Sequence, residues 1–164
     1  MSLGPEEIAA LVAPHLEPRE PGVHSSILGA GSDDIESGRA WLAAAAVDGL
    51  AVPTWPRAWG GRDADEAEAA LIADVLERFA VPDLYPYAVG LDLVGPILME
   101  SGRADQQSRW LPRIADGSEI WCQMFSEPDA GSDMANIATR AQRDGDEWVI
   151  SGQKVWTSRG PYAR

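Results

Sequence analysis

The chain has 164 residues, 45% of them hydrophobic and 24% charged, with 26 acidic against 13 basic side chains and a net charge of −13. This is the composition of a soluble globular protein of one or two domains; it excludes collagen-like, disordered and membrane-embedded classes, and the negative balance would repel a nucleic acid backbone. The acidity is uneven: residues 1–100 carry 17 acidic and 5 basic side chains and residues 101–164 carry 9 and 8, so the second part could hold an anionic small molecule such as a nucleotide cofactor on backbone amides and a few arginines.

The first dozen residues, through Val12, are acidic and lack the basic start and apolar core of a signal peptide. The longest apolar stretch, Trp41 to Val47, falls far short of the roughly 18 residues a spanning helix requires, so no membrane span is expected. Cys122 is the single cysteine, which excludes an internal disulfide and points to a reducing, cytoplasmic setting. Within an apolar strand and without a neighbouring histidine, it reads as a buried, inert thiol. His15 and His24 share no ligand spacing, and no metal site is expected.

Asp33 with Glu36, and Asp63 with Glu66, each place an acceptor three residues ahead of a carboxylate and predict helix starts before alanine-rich runs. The second run predicts an amphipathic helix over 63–80, with Ala67, Ala70, Leu71, Val75 and Phe79 inward. Between the two runs, VPTWPRAWGGR contains two prolines and paired glycines that forbid a regular helix, and it reads as an ordered structural plug. Two further helices follow over 86–101 and 104–116, with Gly102 between them and Leu91, Val94, Ile97 and Leu98 forming one stripe. Near residue 118 the texture changes to strand-like alternation: EIWCQMF, NIATRAQR, DEWVISG and QKVWTS, separated by the turn formers PDAGSD, DGD and SG, predict four antiparallel strands. No GxGxxG or GxxxxGK[ST] motif is present, so neither a Rossmann nor a P-loop site is expected.

The stretch WCQMFSEPDAGSD, Trp121 to Asp133, and the later GQKVWTS, Gly152 to Ser158, together resemble the flavin-binding signature of the acyl-CoA dehydrogenase family. LVGPILMESGRADQQSRWLPRIADG resembles the family's helix pair, and WPRAWGG its WP-x-x-YGG loop, so the resemblance runs co-linearly over residues 35–164. Trp59, Ser151 and Arg103 depart from the residues usual at those positions (Tyr, Asn and Thr) without removing a needed group.

The resemblance implies an α+β fold: an amino-terminal all-α helical domain over 1–117, then over 118–164 the first antiparallel strands of a β-barrel-like domain that lines the flavin, with the family's carboxy-terminal helical bundle absent from these residues. It implies FAD as cofactor, held by Gln123, Phe125, Ser126, Gly131, Ser132, Trp156, Thr157 and Ser158. Of these, Ser126 would contact the pyrimidine side, Ser158 the N5 region and Trp156 the face opposite the substrate; Ser132 would also touch the acyl-CoA. Trp156 and Ser158, two apart, would share one strand face. Gly131 would admit close backbone approach, and the amides of PDAGSD could form an anion nest. Glu127 and Asp133 are assigned to turn and sheet structure.

The implied activity is α,β-desaturation of an acyl-CoA thioester, with an electron-transfer flavoprotein as electron acceptor. The family's glutamate base lies in the bundle, so no catalytic residue is assigned within 1–164, and these residues alone are expected to be inactive. An acyl-CoA oxidase or flavin monooxygenase on the same scaffold, and a noncatalytic partner subunit of a full-length relative, are the alternatives. Trp121, Phe125 and Trp156 are expected to be exposed unless another chain covers them, which implies a homo- or hetero-oligomer.

Overall fold

A computed structural model describes residues 3–20 and 34–163. They form two compact units, one through Ile120 and one over Trp121–Ala163.

The first unit is helical. Helix α1 (Pro5–Val12) is not anticipated by the sequence pattern, although Pro5 opens it and the Glu7 carboxylate accepts the Gly4 amide at 2.8 Å. Helix α2 (Ile35–Val47) is capped by Asp34, which accepts the Ser37 amide at 3.0 Å; the expected cap Asp33, like His24, lies outside the described residues. Helix α3 (Glu66–Leu76) is shorter than the expected 63–80 and is capped by Asp65 through the Glu68 amide, not by Asp63, which takes φ 57° and pairs with Arg57. Its buried side is Ile72 and Val75, continued by Phe79, while Ala67 and Ala70 face solvent. Glu68 sits toward the inside because the buried Arg62 guanidinium donates to it at 3.0 Å and also caps the Asp48 carbonyl at 2.8 Å.

Ile8 and Val12 of α1, Trp41 and Ala45 of α2, and Leu50, Ile72, Val75 and Phe79 make one apolar cluster. Leu42, Tyr87 and Ile120 make a second, and the Tyr87 hydroxyl donates to the Ile35 carbonyl at 2.8 Å.

The single helix expected over 86–101 is three pieces: a 3₁₀ turn (Tyr85–Tyr87), a π-helical stretch (Val89–Val94) and helix α4 (Gly95–Ser101). The Gly95 amide donates to Gly90 five residues back, and Pro96 has no amide to lose, so the wider turn costs no bond there. The extra residue rotates α4 about its axis, and Ile97 is exposed instead of joining the expected stripe. A Cβ on the buried Gly95 would fall inside the Trp55 ring, so the WPRAWGG loop does plug the helical unit, through Trp55. Gly102 ends α4 as expected, and Gln107 of helix α5 (Ala104–Ala115) donates back to the Leu98 carbonyl at 2.9 Å.

The second unit has two strands where four were expected. Strand β1 (Arg140–Asp144) pairs antiparallel with β2 (Glu147–Ser151) across the Gly145-Asp146 turn, in register Arg143 with Trp148 and Ala141 with Ile150. Residues 121–126 and 152–157 form no ladder; one backbone bond, from the Val155 amide to the Ser126 carbonyl, joins them. The assembly is thus an amino-terminal helical domain followed by the start of a β-domain. Among the described residues, no helix is long and apolar enough to cross a membrane.

Candidate functional site

Glu127 and Ala130 exchange backbone hydrogen bonds of 2.8 and 3.2 Å around Pro128 and Asp129, closing a tight turn that Asn136 braces by donating to the Asp129 carbonyl at 3.1 Å. The buried Glu127 carboxylate accepts the amides of Ala138 at 2.7 Å and Thr139 at 3.0 Å, and the Lys154 ammonium at 2.8 Å. Lys154, followed by hydrogen bonds from Thr139 and Ala138, depresses its pKa from 4.5 to about 2. Glu127 is therefore a structural anion, as its assignment to turn and sheet anticipated.

The two sequence motifs meet here. The Val155 amide donates to the Ser126 carbonyl at 2.9 Å, and Lys154 Nζ also donates to the Phe125 carbonyl at 2.9 Å. Gly152 makes the return possible, since a Cβ there would fall on the Thr139 side chain. Beyond Val155 the chain leaves the extended region: Trp156 adopts φ 58°, and the Ser158 amide donates back to the Trp156 carbonyl at 2.9 Å. The expectation that Trp156 and Ser158 share one strand face is therefore corrected; the geometry between them is a tight turn, and period two does not apply. A left-handed φ is uncommon for a bulky residue and persists only where surroundings or function require it.

Of the residues singled out in the sequence, Ser126 and the Val155–Trp156 step are brought side by side. Phe125 and Trp156 are exposed, the latter by 88%; Gln123, Ser132 and Ser158 are also exposed, and Ser126 and Thr157 are half-buried. Trp121 is half-buried, in contrast to the exposure expected of it. A Cβ on Gly131 would meet no atom within 4 Å, so the close approach expected there is not to another part of this chain. Among these residues the hydrogen bonds join the Ser126 and Phe125 backbone to the Lys154–Val155 segment.

Sequence reasoning missed Lys154 and Gly152. The available signal was that Lys154 is the chain's one lysine against twelve arginines. Cys122 is half-buried and lies in no strand, and no metal-binding cluster of His, Cys, Asp or Glu occurs among the described residues. The helical unit holds an open cavity of about 480 Å³ lined by Trp55, Leu84, Tyr85, Leu91 and Asp92, among others.

The family model for the acyl-CoA dehydrogenase N-terminal domain matches residues 8–118, and that for the acyl-CoA dehydrogenase middle domain matches residues 122–164. The chain belongs to the acyl-CoA dehydrogenase family. It is 42% identical over 158 residues to acyl-CoA dehydrogenase IpdE1 of Mycobacterium tuberculosis, an alignment covering 93% of this chain and 41% of that relative. Among solved structures, the Tcur3481-Tcur3483 steroid ACAD is similar at 36% identity and TM-score 0.62, over 78% of this chain and 33% of that one. The ChsE4-ChsE5 complex from Mycobacterium tuberculosis is similar at 31% identity and TM-score 0.66, over 97% and 38%. The chain thus spans well under half the length of these family members.

Proposed function

We propose that residues 1–164 supply the helical domain (1–117) and the flavin-lining start of the β-domain (118–164) of an FAD-dependent enzyme that desaturates an acyl-CoA thioester between its α and β carbons. The observation that carries this reading is the 2.9 Å bond from Val155 to Ser126, which sets the WCQMFSEP and GQKVWTS segments side by side with the Trp156 indole uncovered beside them. FAD, when bound, supplies the two-electron acceptor for a hydride leaving the β carbon.

The chain's own residues bind and orient. The Trp156 and Phe125 rings offer flat apolar contact and exclude water, with Gln123 and Thr157 alongside them. Hydroxyls at Ser126 and Ser158 would donate hydrogen bonds where negative charge develops on the bound cofactor. Gly131 and Ser132 leave room and a donor for the cofactor's pyrophosphate region and for the acyl-CoA. No side chain in 1–164 is assigned as the base that removes the α-proton, so these residues by themselves turn over no acyl-CoA.

The steroid relative supports a bulky, ring-bearing acyl group over a simple fatty chain. The paired naming of both solved relatives supports a two-subunit assembly. An electron-transfer flavoprotein as electron acceptor and a cytoplasmic setting complete the proposal. The direct test is FAD bound per chain after purification, followed by dye reduction with a panel of acyl-CoA thioesters. Stoichiometric flavin without turnover by residues 1–164 is expected; a chain that binds no FAD contradicts the reading.

A further inference from the structure

The flavin-lining segments are held apart and in register by polar ties, and one of those ties is unlike the others. Every other basic position of the chain is arginine, yet position 154 is lysine. Its ammonium is mostly buried and reaches two acceptors at once, the Phe125 carbonyl at 2.9 Å and the Glu127 carboxylate at 2.8 Å. A compact ammonium can serve two oxygens converging from one side; a planar guanidinium, longer and with its donors splayed, cannot occupy the same point. Glu127 in turn takes the Ala138 and Thr139 amides, so this single pair ties together the turn after Ser126, the segment leading into β1 and the segment leading to Trp156.

We infer that the Glu127–Lys154 pair is a positioning device for the flavin: it fixes the distance between Ser126 and Trp156 and so sets cofactor affinity, without touching the cofactor itself. This rests on the FAD reading above. Phe125 and Ser126 lie immediately before Glu127, and Val155 and Trp156 immediately after Lys154, so loss of the pair frees both sides of the bridge that Val155 makes to Ser126. A buried charge left alone after loss of its partner adds to the disruption.

The test compares Lys154→Met, Lys154→Arg and Glu127→Gln in the full chain, in whatever assembly it purifies. FAD affinity is read by fluorescence quenching, and amide hydrogen exchange at Val155, Ala138 and Thr139 is read alongside exchange in the helical unit. Lys154→Met should weaken FAD binding by about ten-fold or more and speed exchange at Val155 while the helical unit is unchanged, and Lys154→Arg should recover only part of the affinity although it restores the charge. Should Lys154→Met fail to fold, Glu127→Gln gives the same reading, since it keeps an acceptor but loses the ion pair. Affinity within two-fold of the parent, with or without faster Val155 exchange, overturns the positioning role. Full recovery by Lys154→Arg overturns the requirement for a compact ammonium. A parent chain that binds no FAD overturns the functional reading itself, which the exchange data then separate from any failure of the pair to hold the segments.

Discussion

In the helical unit Ile8, Val12, Leu42, Ile72 and Val75 are at most 1% exposed, whereas in the β-hairpin every residue from Arg140 to Ser151 is exposed, including Trp148 at 64% and Ile150 at 71%. The first region is specified by apolar packing. The second is specified by a two-stranded ladder and by the Glu127–Lys154 network, and a lone hairpin is at best marginally stable.

Core deletions should show the contrast most strongly. Ile72→Ala removes a side chain from the centre of the first cluster and should cost about 2–5 kcal/mol in urea unfolding. Gly95→Ala forces a methyl group into the Trp55 ring and should cost about 1–3 kcal/mol, while the same change at Gly131, where a Cβ meets nothing, should leave stability within about 0.5 kcal/mol. Similar costs at Gly95 and Gly131 would show that the Trp55 plug is not tightly packed.

The polar ties should respond to pH. Because the folded-state pKa of Glu127 is depressed, its stabilising contribution is complete above its ordinary value of 4.5 and is lost as pH falls through about 2. Lys154→Met removes the largest cause of that depression, so the acid-induced fall in melting temperature across this window should flatten. An unchanged pH profile would break the assignment. The smallest effect belongs to the hairpin surface: Ile150→Thr should change stability by no more than about 0.5 kcal/mol, unless a partner covers that face.

What the sequence made legible was local. Gly102, the Gly145 turn and α5 follow from residues adjacent to the features they set, and the plug reading of WPRAWGG needed only that segment's own prolines, glycines and tryptophans. Where distant partners decide, local pattern misled. Glu68 faces inward because of Arg62, and the π-turn before Pro96 rotates Ile97 outward. Residues 121–126 and 152–157 alternate like strands, but a strand requires a neighbour, and the two share one backbone bond before the chain turns at Trp156. For the candidate site, the motifs pointed to the segments and to Ser126 and Trp156, but not to the pair that joins them, since nothing in either motif reveals that Lys154 reaches back to Glu127.

The central claim is that the uncovered Trp156 ring, not merely any exposed indole of this unit, meets the flavin. Trp148 provides the internal control, being also exposed but paired with Arg143 within the hairpin. FAD affinity should be titrated by fluorescence quenching for the parent chain, Trp156→Ala and Trp148→Ala. Loss of a stacked indole is worth about 1 kcal/mol beyond buried area, so Trp156→Ala should weaken binding at least about five-fold with an altered flavin absorbance, and Trp148→Ala should match the parent. Equal affinities for the two variants would contradict the placement of Trp156 at the flavin.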